Sequence, residues 1–173
     1  MSKELLAPVA ALTLICLVIS AALAVTNSVT APVIAAAART RAEAAQKEVL
    51  PEADEFESVQ SDALPEGVTE AYAAVNGAGY VFMLLTSGYG GDISIIAGID
   101  GEGRITAVKT LSHSETEGLG AKITTPEFLG QFAGSVEAGG ADAISGATIS
   151  SKAFFAAIDD AFAAYEILKE GRT

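Results

Sequence analysis

Residues 142–151, Asp142-Ala143-Ile144-Ser145-Gly146-Ala147-Thr148-Ile149-Ser150-Ser151, gather small and hydroxyl side chains directly ahead of a helix-forming run. The first N–H groups of a helix have no intrahelical partner, and the helix dipole adds positive potential there, so an anion such as phosphate is favoured. Gly146 and Ala147 let the backbone approach a ligand closely. Ser145, Thr148, Ser150 and Ser151 offer hydroxyls, either as hydrogen-bond donors or as a point of covalent attachment. The competing use is ordinary capping, in which Thr148 or Ser150 accepts a hydrogen bond from the next turn. The two uses are compatible.

Other chemistries lack their residues. A Ser-x-x-Lys nucleophile ending at Lys152 would need serine at 149, and Ile149 stands there. No Walker A or G-x-S-x-G pattern occurs, and Gly118-Leu119-Gly120 is not followed by a third glycine at dinucleotide spacing. One histidine, His113, and one cysteine, Cys16, exclude a His-rich metal site, a zinc cluster and an internal disulfide. The formal charge is −12, from 10 basic and 22 acidic residues, which opposes binding to nucleic-acid phosphates.

The elements that must position this stretch follow from periodicity. Residues 69–75, 80–86, 92–99 and 104–111 read as strands. The gaps between them, Asn76-Gly77-Ala78-Gly79, Gly88-Tyr89-Gly90-Gly91 and Asp100-Gly101-Glu102-Gly103, supply the positive φ of tight turns. Strands in sequence with short turns predict an antiparallel meander. Beyond Gly120, Thr125 is the expected N-cap of a helix with Pro126 at its first position and Glu127 in its first turn. A last helix is expected over about 150–169, with Phe154, Phe155, Ile158, Phe162, Tyr165 and Leu168 forming a core stripe. The fold class is α+β, helices flanking an antiparallel sheet.

Residues 5–25 contain no charge and are long enough, at about 20 residues, to cross a bilayer. A cleaved signal peptide is the rival reading, with Ala22-Leu23-Ala24 resembling a cleavage site, but the apolar run exceeds the usual ~7–15 residues of a signal-peptide core. Lys3, ahead of the run, favours an inside amino terminus and puts the soluble part outside the cytoplasm. Helix-forming sequence continues over 26–50, with a break or bend expected at Pro32, and Pro51 ends it. Acidic residues then crowd 48–70, as in a solvated connection. The expected organisation is a transmembrane anchor at 1–30, a helical and acidic connector at 31–68 and a ligand-binding domain at 69–173.

The segment Asp142-Ala143-Ile144-Ser145-Gly146-Ala147-Thr148 resembles the D-x-x-[ST]-G-A-T flavinylation sequence of FMN-binding domains in the Rnf G subunit and the Na⁺-pumping NADH:quinone reductase C subunit. His113-Ser114-Glu115-Thr116-Glu117-Gly118-Leu119-Gly120 is similar to the same family's H-x-E-T-P-G-L-G segment, with Glu117 in the place of proline. Gly88-Tyr89-Gly90-Gly91, followed by a strand and Gly98-Ile99-Asp100, is similar to its central strands. The resemblance covers roughly residues 72–168, and the short chain is more similar to the Rnf G subunit.

The resemblance implies FMN joined to Thr148 Oγ through a phosphoester, installed from FAD by a flavin transferase that reads residues 142–148. Ser145, Gly146 and Ala147 would form the phosphate turn, with Asp142 part of the recognised motif. Glu115, Thr116, Gly118 and Leu119 would approach the flavin ring or its ribityl chain, while His113 is expected to be a strand-end residue without a role. It further implies an electron-transfer subunit of a membrane-bound, ion-translocating Rnf-type complex, partnered by the other subunits. It would sit in the cell (inner) membrane as a single-pass protein with its domain on the extracytoplasmic side. The alternatives are a free-standing extracytoplasmic flavoprotein and an anchored binding module in which Thr148 only caps a helix.

Overall fold

The computed structural model describes residues 3–171. Its elements are α1 (Lys3–Val49), β1 (Phe56–Val59), β2 (Val68–Ala74), β3 (Gly79–Ser87), β4 (Asp92–Asp100), β5 (Ile105–His113), α2 (Pro126–Leu129) and α3 (Thr148–Glu170), with short 3-10 turns at Gly120–Thr124 and Gly130–Phe132. The chain divides into two compact units, Met1–Arg41 and Ala42–Thr173.

The first unit is helical throughout its described residues. The helix is long and apolar enough to cross a membrane. Leu12, Leu17, Leu23 and Val29 are each 64–65% exposed, a surface suited to lipid rather than water. The expected break at Pro32 does not occur, and α1 continues through it. Proline removes one ladder donor, which frees only the carbonyl four residues earlier, that of Ser28, and the rest of the helical ladder carries the chain past it.

In the second unit the five strands form one antiparallel sheet in the order β1-β2-β3-β4-β5. Its turns fall where the glycines predict. Gly77, Gly91 and Gly103 have φ of 78°, 142° and 86°, values costly to any residue with a Cβ. The additional strand β1, inside the acidic stretch, pairs Phe56 with Ala74 and Val59 with Ala71 at the sheet edge. Charged residues suit an edge strand, where one row of backbone groups faces water.

Alternate residues of the sheet feed separate cores. Tyr80, Phe82 and Leu84 of β3 and Ile93, Ile95, Ala97 and Ile99 of β4 pack with Phe154, Ile158, Ala161 and Tyr165 of α3. Val81 and Ile96 point the other way and pack with Ala45 and Val49 from the end of α1 and with Leu50 just beyond it. The central strands are therefore apolar on both faces, and each fully buried Phe or Ile contributes about 1.5–3 kcal/mol. Thr106 Oγ1 donates to Val49 O, and Lys109 pairs with Glu48, so polar contacts also hold the end of α1 to β5. Phe128 and Phe132 close the first core against Phe154, with the Phe128–Phe154 rings edge to face at 5.2 Å. Thr125 caps α2 as expected, its Oγ1 accepting Phe128 N–H at 3.4 Å, although α2 is only 4 residues long.

A cleft at one end of the sheet

The β3–β4 turn, the segment after β5 and the start of α3 meet at one end of the sheet. Antiparallel order dictates part of this: the end of β3, the start of β4 and the end of β5 all lie at that end. Between these segments lies a cleft of about 420 Å³ lined by Tyr89, Glu115, Thr116, Leu119, Gly120 and residues 146–150.

Helix α3 starts at Thr148, two residues before the expected 150. Ala147, buried, holds the N-cap position without a side-chain cap, so the hydroxyls of Thr148 and Ser150 do not serve as helix caps. The first bond of the helix is Ser151 N–H to Ala147 O, 3.0 Å, which leaves the N–H groups of Thr148, Ile149 and Ser150 ahead of the ladder. Thr148 is exposed on the cleft, and its hydroxyl has no hydrogen-bond partner among the described residues. Gly146, at φ 80°, makes the turn into the helix, and Ala147 N–H closes it on Ile144 O at 3.0 Å.

Glu115 is 7% exposed. Its Oε2 accepts from Ser150 Oγ at 2.8 Å, and its Oε1 from Gly90 N–H at 3.2 Å. Room for the carboxylate comes from glycine: a Cβ on Gly88 or Gly120 would collide with it, lying 3.1 Å and 3.0 Å from Glu115 Cδ respectively. His113, expected to be idle, ends β5 and accepts Glu115 N–H on Nδ1 at 3.2 Å, which helps to orient the acid.

Of the residues singled out by sequence, Glu115, Thr116, Leu119, Gly146, Ala147 and Thr148 share the cleft lining. Gly118 sits in an open turn at φ 76°, and Ser145 is exposed in the turn before Gly146; neither lines the cleft. Asp142 is exposed on a separate groove with Lys122 and Gln131, where Gln131 Oε1 accepts its N–H at 2.7 Å. The structure adds Tyr89 and Ile149 to the lining, 73% and 57% exposed. Tyr89 is legible in the sequence only as part of a glycine-rich turn, and nothing in its spacing joins it to residues about sixty positions later.

Residues 88–163 match the FMN-binding domain model. Over 92% of its length the chain is 37% identical to the G subunit of the ion-translocating oxidoreductase complex of Methanosarcina acetivorans, covering 94% of that protein. The chain belongs to the G-subunit family of Rnf-type ion-translocating oxidoreductases. Another member, the G subunit of the Na⁺-translocating ferredoxin:NAD⁺ oxidoreductase complex of Acetobacterium woodii, is 32% identical over 91% of both chains. The G subunit of the proton-translocating ferredoxin:NAD⁺ oxidoreductase complex of Clostridium ljungdahlii is 29% identical over 87% of this chain and 85% of its own. Membership of the G-subunit family accounts for an FMN-binding domain behind a helix fit to cross a membrane.

The cleft of this G-subunit family member suits FMN. Its volume falls in the ~300–1,000 Å³ range of small-molecule sites. Exposed Tyr89, Leu119 and Ile149 supply apolar surface for a flat ring, and the leading N–H groups of α3 suit a phosphate.

Proposed function

We propose that this chain is the electron-carrying G subunit of an Rnf-type complex and holds FMN through a phosphoester on Thr148. The observation that carries the reading is the Thr148 hydroxyl itself: exposed on the cleft, without a partner among the described residues, and at the first position of α3 rather than in a cap. In the attachment step Thr148 Oγ attacks the flavin-side phosphorus of FAD. The Oγ–P bond forms, the pyrophosphate bond breaks, AMP leaves, and the hydroxyl proton passes to base. A flavin transferase would supply the FAD site and recognise residues 142–148, which are exposed at Asp142, Ala143, Ser145 and Gly146.

Bound FMN supplies reversible exchange of one or two electrons, with the protein setting position and electronics. The N–H groups of Thr148, Ile149 and Ser150 would hold the phosphate, and Tyr89, Leu119 and Ile149 would supply apolar surface to the ring. Ion movement falls to other subunits, because a span without charge at residues 5–25 offers no ion path. The acidic domain lies outside the cytoplasm in this reading, on the side opposite Lys3.

The full chain, co-expressed with a flavin transferase and run on a denaturing gel, should fluoresce under ultraviolet light. Thr148→Ala should abolish the band and Thr148→Ser should keep it. A dark wild-type band, or a bright Thr148→Ala band, would overturn the attachment. Co-purification of the other subunits tests membership of the complex against a free-standing flavoprotein.

A further inference from the structure

We propose that Glu115 acts as a fixed negative charge in the cleft that lowers the midpoint potential of the flavin. This rests on the reading that the cleft holds FMN. Glu115 lines the same cleft as Thr148 and is buried. Among the described residues, the ion pairs are Arg104–Glu102 and Lys109–Glu48, neither of which involves Glu115. Its two hydrogen bonds, from Ser150 Oγ and Gly90 N–H, come from neutral donors, which hold the carboxylate without cancelling its charge. A charge in a site partly screened from water acts far more strongly than one on the surface. Reduction adds electrons to the flavin, and a neighbouring negative charge opposes that addition.

Four segments hold the charge in place. Gly88 and Gly90 come from the β3–β4 turn, Gly120 from the 3-10 turn, Ser150 from α3, and His113 from the end of β5. A side chain serving only to join these segments would work as well without charge. Glutamine makes that distinction testable: its Oε1 can keep the Gly90 bond, and its Nε2 can donate to a turned Ser150 hydroxyl.

The test is a redox titration, followed by visible absorbance, of the full chain loaded by co-expression with flavin transferase. Glu115→Gln, compared with the wild type at equal flavin content, should show a higher midpoint potential, with the one-electron reduction equilibrium shifted tenfold or more, about 59 mV. Glu115→Asp, which keeps the charge, should stay within a threefold shift of the wild type. The proposal is overturned by an unchanged potential in the loaded glutamine variant, or by an aspartate variant that moves as far as the glutamine one. If the wild-type gel band is dark, the Thr148 attachment fails by itself. The same titration on protein reconstituted with free FMN then decides the role of Glu115, with equal wild-type and Glu115→Gln potentials counting against it.

Discussion

Ser151 ties the start of α3 to the loop that precedes it, its hydroxyl accepting Ile144 N–H at 3.0 Å and donating to Ala147 O at 3.0 Å. Ser151 is fully buried, so water does not compete for its hydroxyl. Ser151→Ala strands the Ile144 N–H and should lower stability by about 1–3 kcal/mol. The turn that presents Thr148 should loosen with it. Urea denaturation measures the first effect, and in-gel flavin fluorescence at equal protein load should show reduced incorporation. Wild-type stability in the alanine variant would contradict the bond's importance.

Gly98 in β4 lies against the end of α1. A Cβ there would collide with Val49 O and sit 2.6 Å from Thr106 Oγ1. Both neighbours are held in place, because Thr106 donates to Val49 O. Gly98→Ala should therefore cost ~1–3 kcal/mol through overpacking. Gly101→Ala is the control: its Cβ would meet only Gly77 O at 3.6 Å, and stability should change by less than ~0.5 kcal/mol. Paired thermal melts separate the two.

Asp160 on α3 faces Gly67, whose Cβ would strike its carboxylate, and burial followed by the charge of Asp159 raises its pKa above the ordinary 3.8. A folded-state value above the unfolded one means that the protonated form is the one folding favours. That contribution is complete below pH 3.8 and is lost as pH rises through the folded value. At neutral pH Asp160→Asn should thus be more stable than the wild type, by no more than ~1 kcal/mol given solvent screening. The advantage should shrink as pH falls toward 3.8. Denaturation curves at pH 7 and near pH 4 would show it, and a variant destabilised at neutral pH would refute the assignment.

The meander is legible in the sequence because its turns need residues that only a short alphabet supplies, as at Gly77 and Gly103. The stripe of α3 is legible from its large side chains, Phe154, Ile158, Tyr165 and Leu168, all of which are buried. The alanines that complete it, Ala157, Ala161 and Ala164, carry no such signal because alanine is equally at home on a helix surface. Strand β1 gives no sequence signal because Phe-Glu-Ser-Val sits among acids, and its order comes from pairing with β2. The start of α3 lies two residues ahead of the position its sequence suggests because Ala147 is a poor N-cap type, and the tertiary contacts of Ser150 and Ser151 fix the helix instead. At the cleft, the hydroxyl stretch announces itself through composition. The approach of Glu115 to Ser150 spans 35 residues of chain and cannot be read from local spacing.

Successive turns of the meander alternate between the two ends of the sheet, so the chain separates what can vary from what cannot. The β2–β3 turn, with Asn76 and Gly77 exposed, projects from the end remote from Tyr89 and Glu115. Extra residues spliced in there would lengthen a surface loop at slight entropic expense and leave the cleft untouched. That makes the β2–β3 turn the natural port for an affinity tag or spectroscopic label, and the place where relatives can diverge in length without disturbing the cleft.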